Sequence, residues 1–342
     1  MSMSPKIAIF RTDHLGDLLL SLPAIQQVRE QLPESEITVI TKPQFFEPLQ
    51  GYFLDHQIRW RSVDEQWDYE QWDAALVLHA NFQQAFKLWR SRTIVRTGQW
   101  SRLWSFVFFN LGVRQKRSLA QKNEAEYSLE LANILLQRLG KLGAPFKGGI
   151  QLPVDVEAEK IAEKALNRLG IASGDRFFVL HPGMAGSALN LSFEKYRQLA
   201  EQVLLKGPVL LSVGPAPQDQ LLGEQLLKSV PKLKKMSGLS LNVLKEVFRK
   251  SSLVVAPSTG PLHLAHLVGV PVLGIYSPIP SHHPNRWAPY GGKTASTVLF
   301  PEVRCPAKRS CLGSSCSSFN CMELHDWQTL ILEKLGGLTS EA

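Results

Sequence analysis

Cysteine is scarce in this chain: there are four in 342 residues, and all of them lie beyond residue 300. That density excludes a scaffold built on disulfides. Long apolar runs are missing as well. Crossing a bilayer takes roughly 18 uncharged apolar residues, and the longest candidate, Leu103 to Val113, falls well short. The first apolar run, Ile7-Ala8-Ile9-Phe10, is too brief for a signal-peptide core, and no small-residue cleavage site follows it. The chain is therefore read as cytoplasmic, with any membrane contact peripheral. There is no G-x-G-x-x-G, no G-x-x-x-x-G-K-[ST] and no Asp-x-Asp. A standard dinucleotide-binding or P-loop reading lacks support. Internal repeats and low-complexity segments are absent too.

Negative charge has its own gap. From Ala74 to Asn123 there is no Asp or Glu, while Lys87, Arg90, Arg92, Arg96, Arg102, Arg114, Lys116, Arg117 and Lys122 all fall there. Trp89, Trp100, Trp104, Phe106, Phe108 and Phe109 are interleaved with them. The chain as a whole carries net charge +8 with pI near 9.3. Such a balance suits an anionic partner. Basic residues around aromatics fit an anionic membrane surface or a phosphorylated glycolipid, or a solvated basic face over a buried aromatic helix. Single-stranded nucleic acid would suit the same mix, but only charge speaks for it, and no nucleic-acid partner is expected.

What remains is an ordinary globular composition, 44% hydrophobic and 20% charged. At about 150 residues per domain the length suggests two domains. Short β-rich runs alternate with helical patterns. In the first half, strands are expected at 6–10, 36–40, 74–79 and 93–96, with helices at 17–31, 81–89 and 124–139. In the second half, strands are expected at 177–181, 209–213, 253–256 and 270–276. Helices there fall at 193–205, 218–229, 241–250 and 260–268, with Ser240 as the N-cap of the third. Alternation with continuously apolar strands implies parallel sheets covered on both faces. It occurs twice, on either side of a Gly/Pro/Lys-rich stretch at 139–153. The expected α/β architecture is two Rossmann-like domains with a cleft between them, 1–150 and 151–325, followed by a C-terminal helix and tail, 326–342.

In open α/β sheets ligands bind beyond the carboxyl ends of the strands, and three loops there carry chemistry. The first is Arg11-Thr12-Asp13-His14-Leu15-Gly16-Asp17. Gly16 permits close backbone approach. Asp17 either caps the following helix or acts as a general base. The second is His181-Pro182-Gly183-Met184-Ala185-Gly186-Ser187. It is either an ordinary turn or a loop whose N–H groups wrap a phosphate or ribose. The third is Ser258-Thr259-Gly260-Pro261-Leu262-His263. Here a helix opens with Pro261 early in its first turn, and the free N–H groups make a diphosphate site. His263 is placed to face the same ligand.

Together these segments resemble glycosyltransferase family 9, the heptosyltransferases of lipopolysaccharide core synthesis. The resemblance rests on three stretches: Arg11 to Asp17 followed by Leu22-Pro23-Ala24, the His181–Gly183 loop, and Ser258 to Ala265 continuing through Gly269-Val270-Pro271-Val272. It implies a GT-B fold, with acceptor on the N-terminal domain and nucleotide sugar on the C-terminal one. It also implies inverting transfer without a metal or other cofactor, from a nucleotide-sugar donor, ADP-heptose, to a lipopolysaccharide core or related anionic glycolipid at the cytoplasmic face of the inner membrane. Asp17 maps to the family's base. Thr259, Gly260 and His263 map to the turn that holds the donor diphosphate.

His181, Gly183, Met184, Ser187, Gly214, Asp219, Ser258, Pro261 and Leu262 are the further donor-binding candidates. Asp219 stands in for the family's ribose-contacting acid. Arg11, His14, Gly16 and Arg96 are the acceptor-binding candidates. The family commonly has an acidic residue where this chain has Ser258, and a Lys in the stretch that here reads Ala188-Leu189-Asn190-Leu191-Ser192. A phosphate-neutralising cation is therefore missing or supplied elsewhere. A nucleotide-sugar epimerase of the same architecture, or a homologue that binds without turnover, stays open. Cys305, Cys311, Cys316 and Cys321 lack the paired C-x2-C of common zinc sites, which leaves a metal, disulfide pairing or free thiols open.

Overall fold

Twelve strands form two all-parallel sheets in the computed structural model, which describes residues 4–67, 70–142, 145–307, 309–327, 329–331 and 333. The first sheet holds β1 (Lys6–Phe10), β2 (Glu36–Thr41), β3 (Arg59–Ser62), β4 (Ala74–Val77), β5 (Val95–Gln99) and β6 (Leu111–Val113), in the order β3-β2-β1-β4-β5-β6. The second holds β7 (Phe178–Leu180), β8 (Val209–Ser212), β9 (Lys234–Met236), β10 (Leu253–Pro257), β11 (Val272–Ile275) and β12 (Ser296–Leu299), in the order β12-β11-β10-β7-β8-β9. Both are the same doubly wound arrangement. The chain divides into two units, 1–117 with 122–153 and 118–121 with 154–342. The main change of unit falls after Pro153, against an expected boundary near 150.

The central strands form because their residues can be buried on both faces. Ile7 to Phe10 on β1 and Ala74 to Val77 on β4 are all buried, and they pair in register from Ile7 with Ala74 to Phe10 with Val77. On β10, Val254 and Val255 pair with Val179 and Leu180 of β7. Continuous apolar runs of this kind are the mark of a parallel sheet covered on both sides. The strands with no expectation in the sequence are β3, β6, β9 and β12. All are edge strands of three or four residues, with partly exposed sequences such as Arg-Trp-Arg-Ser and Lys-Lys-Met. An edge is not buried on both faces, so it does not need the apolar run that marks a central strand.

Two helices also differ from expectation. The stretch 17–31 is not one helix but two, Leu15–Leu19 and Leu22–Gln31. Pro23 lies in the first turn of the second and cannot follow on from the first. It lacks an N–H, and its ring would meet the carbonyl four residues earlier. Ser21 bridges the break by donating its hydroxyl to the Asp17 carbonyl at 2.8 Å. The helix Val156–Arg168 has no counterpart in the sequence reading. Its buried stripe is narrow, only Ala158, Ala162 and Leu166, on an otherwise charged surface. Ser240 does cap the helix Leu241–Lys250, its hydroxyl accepting from the Val243 N–H at 3.4 Å. The helix Glu124–Arg138 opens on a capping box of Asn123 and Glu126. Trp327 and Ile331 are buried in the core of the second unit. The rest of the expected terminal helix includes Gln328, Leu332 and Lys334 onward, which lie outside the described residues.

Candidate functional site

The switch point of the first sheet lies between β1 and β4, where strand order reverses. Here Arg11 leaves β1 and is almost wholly buried, 1% exposed. A guanidinium in that setting needs anions around it. Arg11 donates to Asp13 at 2.8 Å, to Asp17, and to Glu124 at 3.2 Å. It also reaches the Leu78 carbonyl, just past β4, at 3.4 Å. Arg117 enters from the other side, donating to Glu124 at 2.5 Å and to the Leu78 carbonyl at 3.2 Å. Glu124 stands at the start of its helix with no exposed surface. There the helix dipole favours a negative charge.

Asp17 sits at the edge of this network. It is in the first turn of the helix Leu15–Leu19, and the N-cap is His14, which makes no side-chain cap bond. The capping alternative for Asp17 therefore does not apply. Its carboxyl is pushed up to about 7. Burial is the largest cause; Arg11 opposes it, while the negative charges of Asp13 and Glu124 add to it. Asp13 behaves in the opposite way. Although burial works to raise it, Arg11 and His79 hold it below the usual carboxylate range. Around them, Lys42 donates to the Asp13 carbonyl at 2.8 Å and Gln84 donates to the Thr12 hydroxyl at 2.9 Å. The result is one carboxyl pushed up to about 7 beside a second held below the usual carboxylate range.

Two acceptor candidates are placed otherwise than expected. Arg11 is buried and paired with Asp13, Asp17 and Glu124. Arg96 lies near the start of β5, away from the carboxyl ends of the strands. Its guanidinium donates to the Phe108 carbonyl at 2.7 Å and the Thr93 carbonyl at 2.6 Å, tying together the local chain. His14 is exposed and Gly16 half-buried on the loop itself.

The second sheet has its own switch point, between β7 and β10, and a different chemistry. His181 directly follows β7, buried, with Nδ1 3.0 Å from the hydroxyl of Ser212, which ends β8. Burial lowers the imidazole to about 4, so it is neutral. Through Nδ1 it ties the end of β7 to β8. Asp219 also departs from expectation. Its carboxylate accepts from the backbone N–H groups of Met184 and Ala185, each at 3.2 Å. Two of the loop N–H groups expected to wrap a phosphate or ribose, those of Met184 and Ala185, are thus taken by the protein's own acid, and Asp219 holds the loop in place. The glycines follow from this. A Cβ on Gly183 would lie 2.5 Å from the Asp219 Cγ, and one on Gly214 2.6 Å from its Oδ2. Both are glycine to admit the carboxylate. Met184 is buried, while Ser187 is exposed at the loop tip. Asn190 braces the loop, donating to the Pro182 carbonyl at 2.8 Å and accepting from the Tyr196 hydroxyl at 2.6 Å.

Beyond β10, Ser258, Thr259, Gly260 and Pro261 are all partly exposed at the start of the helix Gly260–Leu267. Thr259 is the N-cap, but its hydroxyl donates back to the Pro257 carbonyl at 3.1 Å, and no side chain caps the helix. Its first N–H groups are left for another acceptor. Leu262 is fully buried and contributes packing, not a side-chain contact. His263 is buried rather than open to a ligand, and burial lowers it to about 3. Its Nδ1 has no hydrogen-bond partner among the described residues.

The model of glycosyltransferase family 9 (heptosyltransferase) matches residues 60–312, more than half of the chain. The chain belongs to glycosyltransferase family 9. The family 9 protein is similar to the lipopolysaccharide core heptosyltransferase OpsX of Haemophilus influenzae, 23% identical over 328 residues that cover 87% of this chain and 86% of that one. Its fold is similar to that of the E. coli ADP-heptose LPS heptosyltransferase II, with TM-score 0.73 and 19% identity over 98% of this chain and 100% of the other. It is also similar to the E. coli heptosyltransferase WaaC solved with ADP, with TM-score 0.63 and 18% identity over 86% and 93%. The fold class is GT-B, and the protein is an enzyme of glycosyl transfer.

The sequence reading gives Glu124, Arg117, Gln84, Ser212 and Asn190 no individual role at either site. The Asn123/Glu126 capping box was a local signal for the start of the Glu124 helix. Nothing near Glu124 in sequence announces Arg11, 113 residues away. All four cysteines are free; Cys311 is exposed, the other three half-buried. Among the described residues no three His, Cys, Asp or Glu side chains are grouped to hold a metal ion. No described helix is long and apolar enough to cross a membrane.

Proposed function

We propose that this enzyme transfers heptose from ADP-heptose to the lipopolysaccharide core or a related anionic glycolipid, inverting the anomeric centre without a metal ion or other cofactor. The observation that carries the reading is the buried Asp17 carboxyl, pushed up to about 7 beside Arg11. A general base works best when its pKa lies near the working pH. The acceptor hydroxyl donates its proton to Asp17 as its oxygen attacks the anomeric carbon. The bond from that carbon to the diphosphate breaks, and ADP leaves. Attack opposite the leaving group inverts the centre in one displacement. Charge gathers on the diphosphate as it departs. The uncapped N–H groups of the helix Gly260–Leu267, with its positive dipole end, suit that charge and act without a cation. An ADP donor is favoured by the ADP held in the WaaC structure. The anionic acceptor, and contact with the anionic surface of the inner membrane, are favoured by the acid-free stretch from Ala74 to Asn123.

A transfer assay tests the reading. Purified protein, ADP-heptose and a delipidated core oligosaccharide should yield heptosylated product and ADP in equal amounts, in buffer containing a chelator, by mass spectrometry. Donor conversion without acceptor would replace transfer with epimerisation. ADP binding with no product under any acceptor would leave a binding protein.

A further inference from the structure

We infer that His79 is an acceptor-contacting residue: its imidazole, oriented by Asp13, takes a hydrogen bond through Nε2 from a hydroxyl of the acceptor sugar other than the one that attacks. His79 lies just past β4, at the carboxyl end of a strand that flanks the first switch point. Its side chain is 51% exposed, and Nδ1 stands 3.4 Å from Asp13 Oδ2. Both sides of that contact are pinned. Arg11 holds the Asp13 carboxylate through Nε, and Lys42 holds the Asp13 carbonyl. The Leu78 carbonyl, one residue before His79, accepts from both Arg11 and Arg117. The distance is long for a hydrogen bond, as such contacts often are before a ligand closes the site.

The chemistry of the pair fixes which nitrogen is free. Asp13 is held below the usual carboxylate range, so its carboxylate only accepts. Burial, with the charges of Arg11 and Arg117, lowers His79 from 6.5 against the pull of Asp13 and Glu124, so the ring is neutral at pH 7. A neutral imidazole carries one N–H, and beside an ionised carboxylate that is the Nδ1–H. Nε2 is then a lone pair, and it makes no hydrogen bond among the described residues. A lone pair backed by a carboxylate repels a phosphate and takes a donor, and a sugar offers hydroxyls. Asp17 hangs on the same guanidinium as Asp13. An acceptor sugar that gives its attacking proton to Asp17 therefore finds a second hydrogen-bond acceptor fixed to the same group. His79 holds another hydroxyl and so selects which one is aligned for attack. This role rests on the proposed acceptor reaction.

Kinetics with varied acceptor and a ring-nitrogen NMR titration test the contact. His79→Ala should raise the KM for delipidated core oligosaccharide about tenfold, the loss expected for one hydrogen bond, with kcat little changed and ADP binding kept. His79→Gln offers an accepting oxygen that does not titrate, so it should recover most of that loss. In the wild type the KM should rise as pH falls below 6.5, because a protonated Nε2 no longer accepts. Asp13, Arg11, Arg117 and Glu124 face the ring position in wild type and His79→Gln alike, and Asp17 titrates in both. The difference between the two pH profiles therefore belongs to the imidazole. Nitrogen-15 spectra of the wild type should show His79 as the Nδ1–H tautomer, with its Nε2 resonance shifting when the oligosaccharide is added. An Nε2–H tautomer, an unshifted Nε2, or a wild-type KM in His79→Ala overturns the inference. So does a kcat loss of about 1000-fold at unchanged KM, which would make His79 the base. If the wild type makes no product yet the Nε2 signal responds to the oligosaccharide, the functional reading falls and the contact stands.

Discussion

The two switch points share a strand order but differ in kind. Between β1 and β4 the protein buries charge: two guanidiniums and three carboxyls lie within one network around Arg11. Between β7 and β10 the groups are neutral imidazoles, hydroxyls and backbone amides, with the single carboxylate of Asp219 held on two N–H groups. One doubly wound sheet therefore carries buried, paired charge at its switch point and its counterpart buried neutral groups beside uncapped helix N–H groups. The topology supplies the place; the side chains brought to it supply the chemistry.

The comparison can be broken most severely at Asp17. Asp17→Asn removes the carboxyl pushed up to about 7 and should lower turnover about 1000-fold, with ADP binding unchanged by calorimetry. In the wild type, kcat should rise with pH through about 7 as Asp17 gives up its proton. Wild-type turnover in the Asn variant would transfer the base to another residue. Next in size is Glu124→Ala. It leaves two buried guanidiniums without their shared carboxylate and should cost about 3–5 kcal/mol in urea unfolding. Glu124→Gln should recover part of that.

In the second site the corresponding cut is smaller. Asp219→Ala leaves the Met184 and Ala185 N–H groups unpaired and should cost about 1–3 kcal/mol, with weakened ADP affinity as the loop loosens. An Asp219→Ala variant as stable as wild type would end the positioning role.

The smallest effect is on the pH dependence of stability, and the two sites should differ in sign. Asp17 is raised from 3.8 to about 7, so between those values the folded state holds a proton that the unfolded chain has released. Its contribution to stability falls as pH rises across that window. His181 is lowered from 6.5 to about 4 and His263 to about 3. There the unfolded chain binds more protons, and stability is lost as pH falls below 6.5. Hydrogen exchange at pH 5 against pH 7.5 should show β7 and β10 opening more readily in acid than β1 and β4. The opposite order would remove the distinction between the sites.

Much of the second unit is legible from local pattern. The runs at 209–213 and 253–256, the Ser240 cap and Pro261 in its first turn all express short-range rules of burial, capping and backbone conformation. The edge strands β3 and β9 escape the same rules because they are short and half exposed. The site residues divide along a similar line. Asp17 and the Thr259–Gly260 turn are legible from their place after a strand. Arg96 and His181, read as ligand contacts, also bond to groups distant in sequence that no local pattern announces: the Phe108 carbonyl, 12 residues along, and the Ser212 hydroxyl, 31 residues along.

The amino-acid order alone determined the alternation of strand and helix, the acid-free stretch and the three loops at strand ends, because each depends on neighbours within a few residues. Only the tertiary structure decided which carboxyl is left near neutrality. That depends on burial and on Arg11 meeting Glu124 across 113 residues. It likewise decided that Gly183 and Gly214 make room for Asp219, and that His79 meets Asp13. A side chain's charge state and direction are set by what surrounds it in space, and those surroundings are assembled from distant parts of the chain.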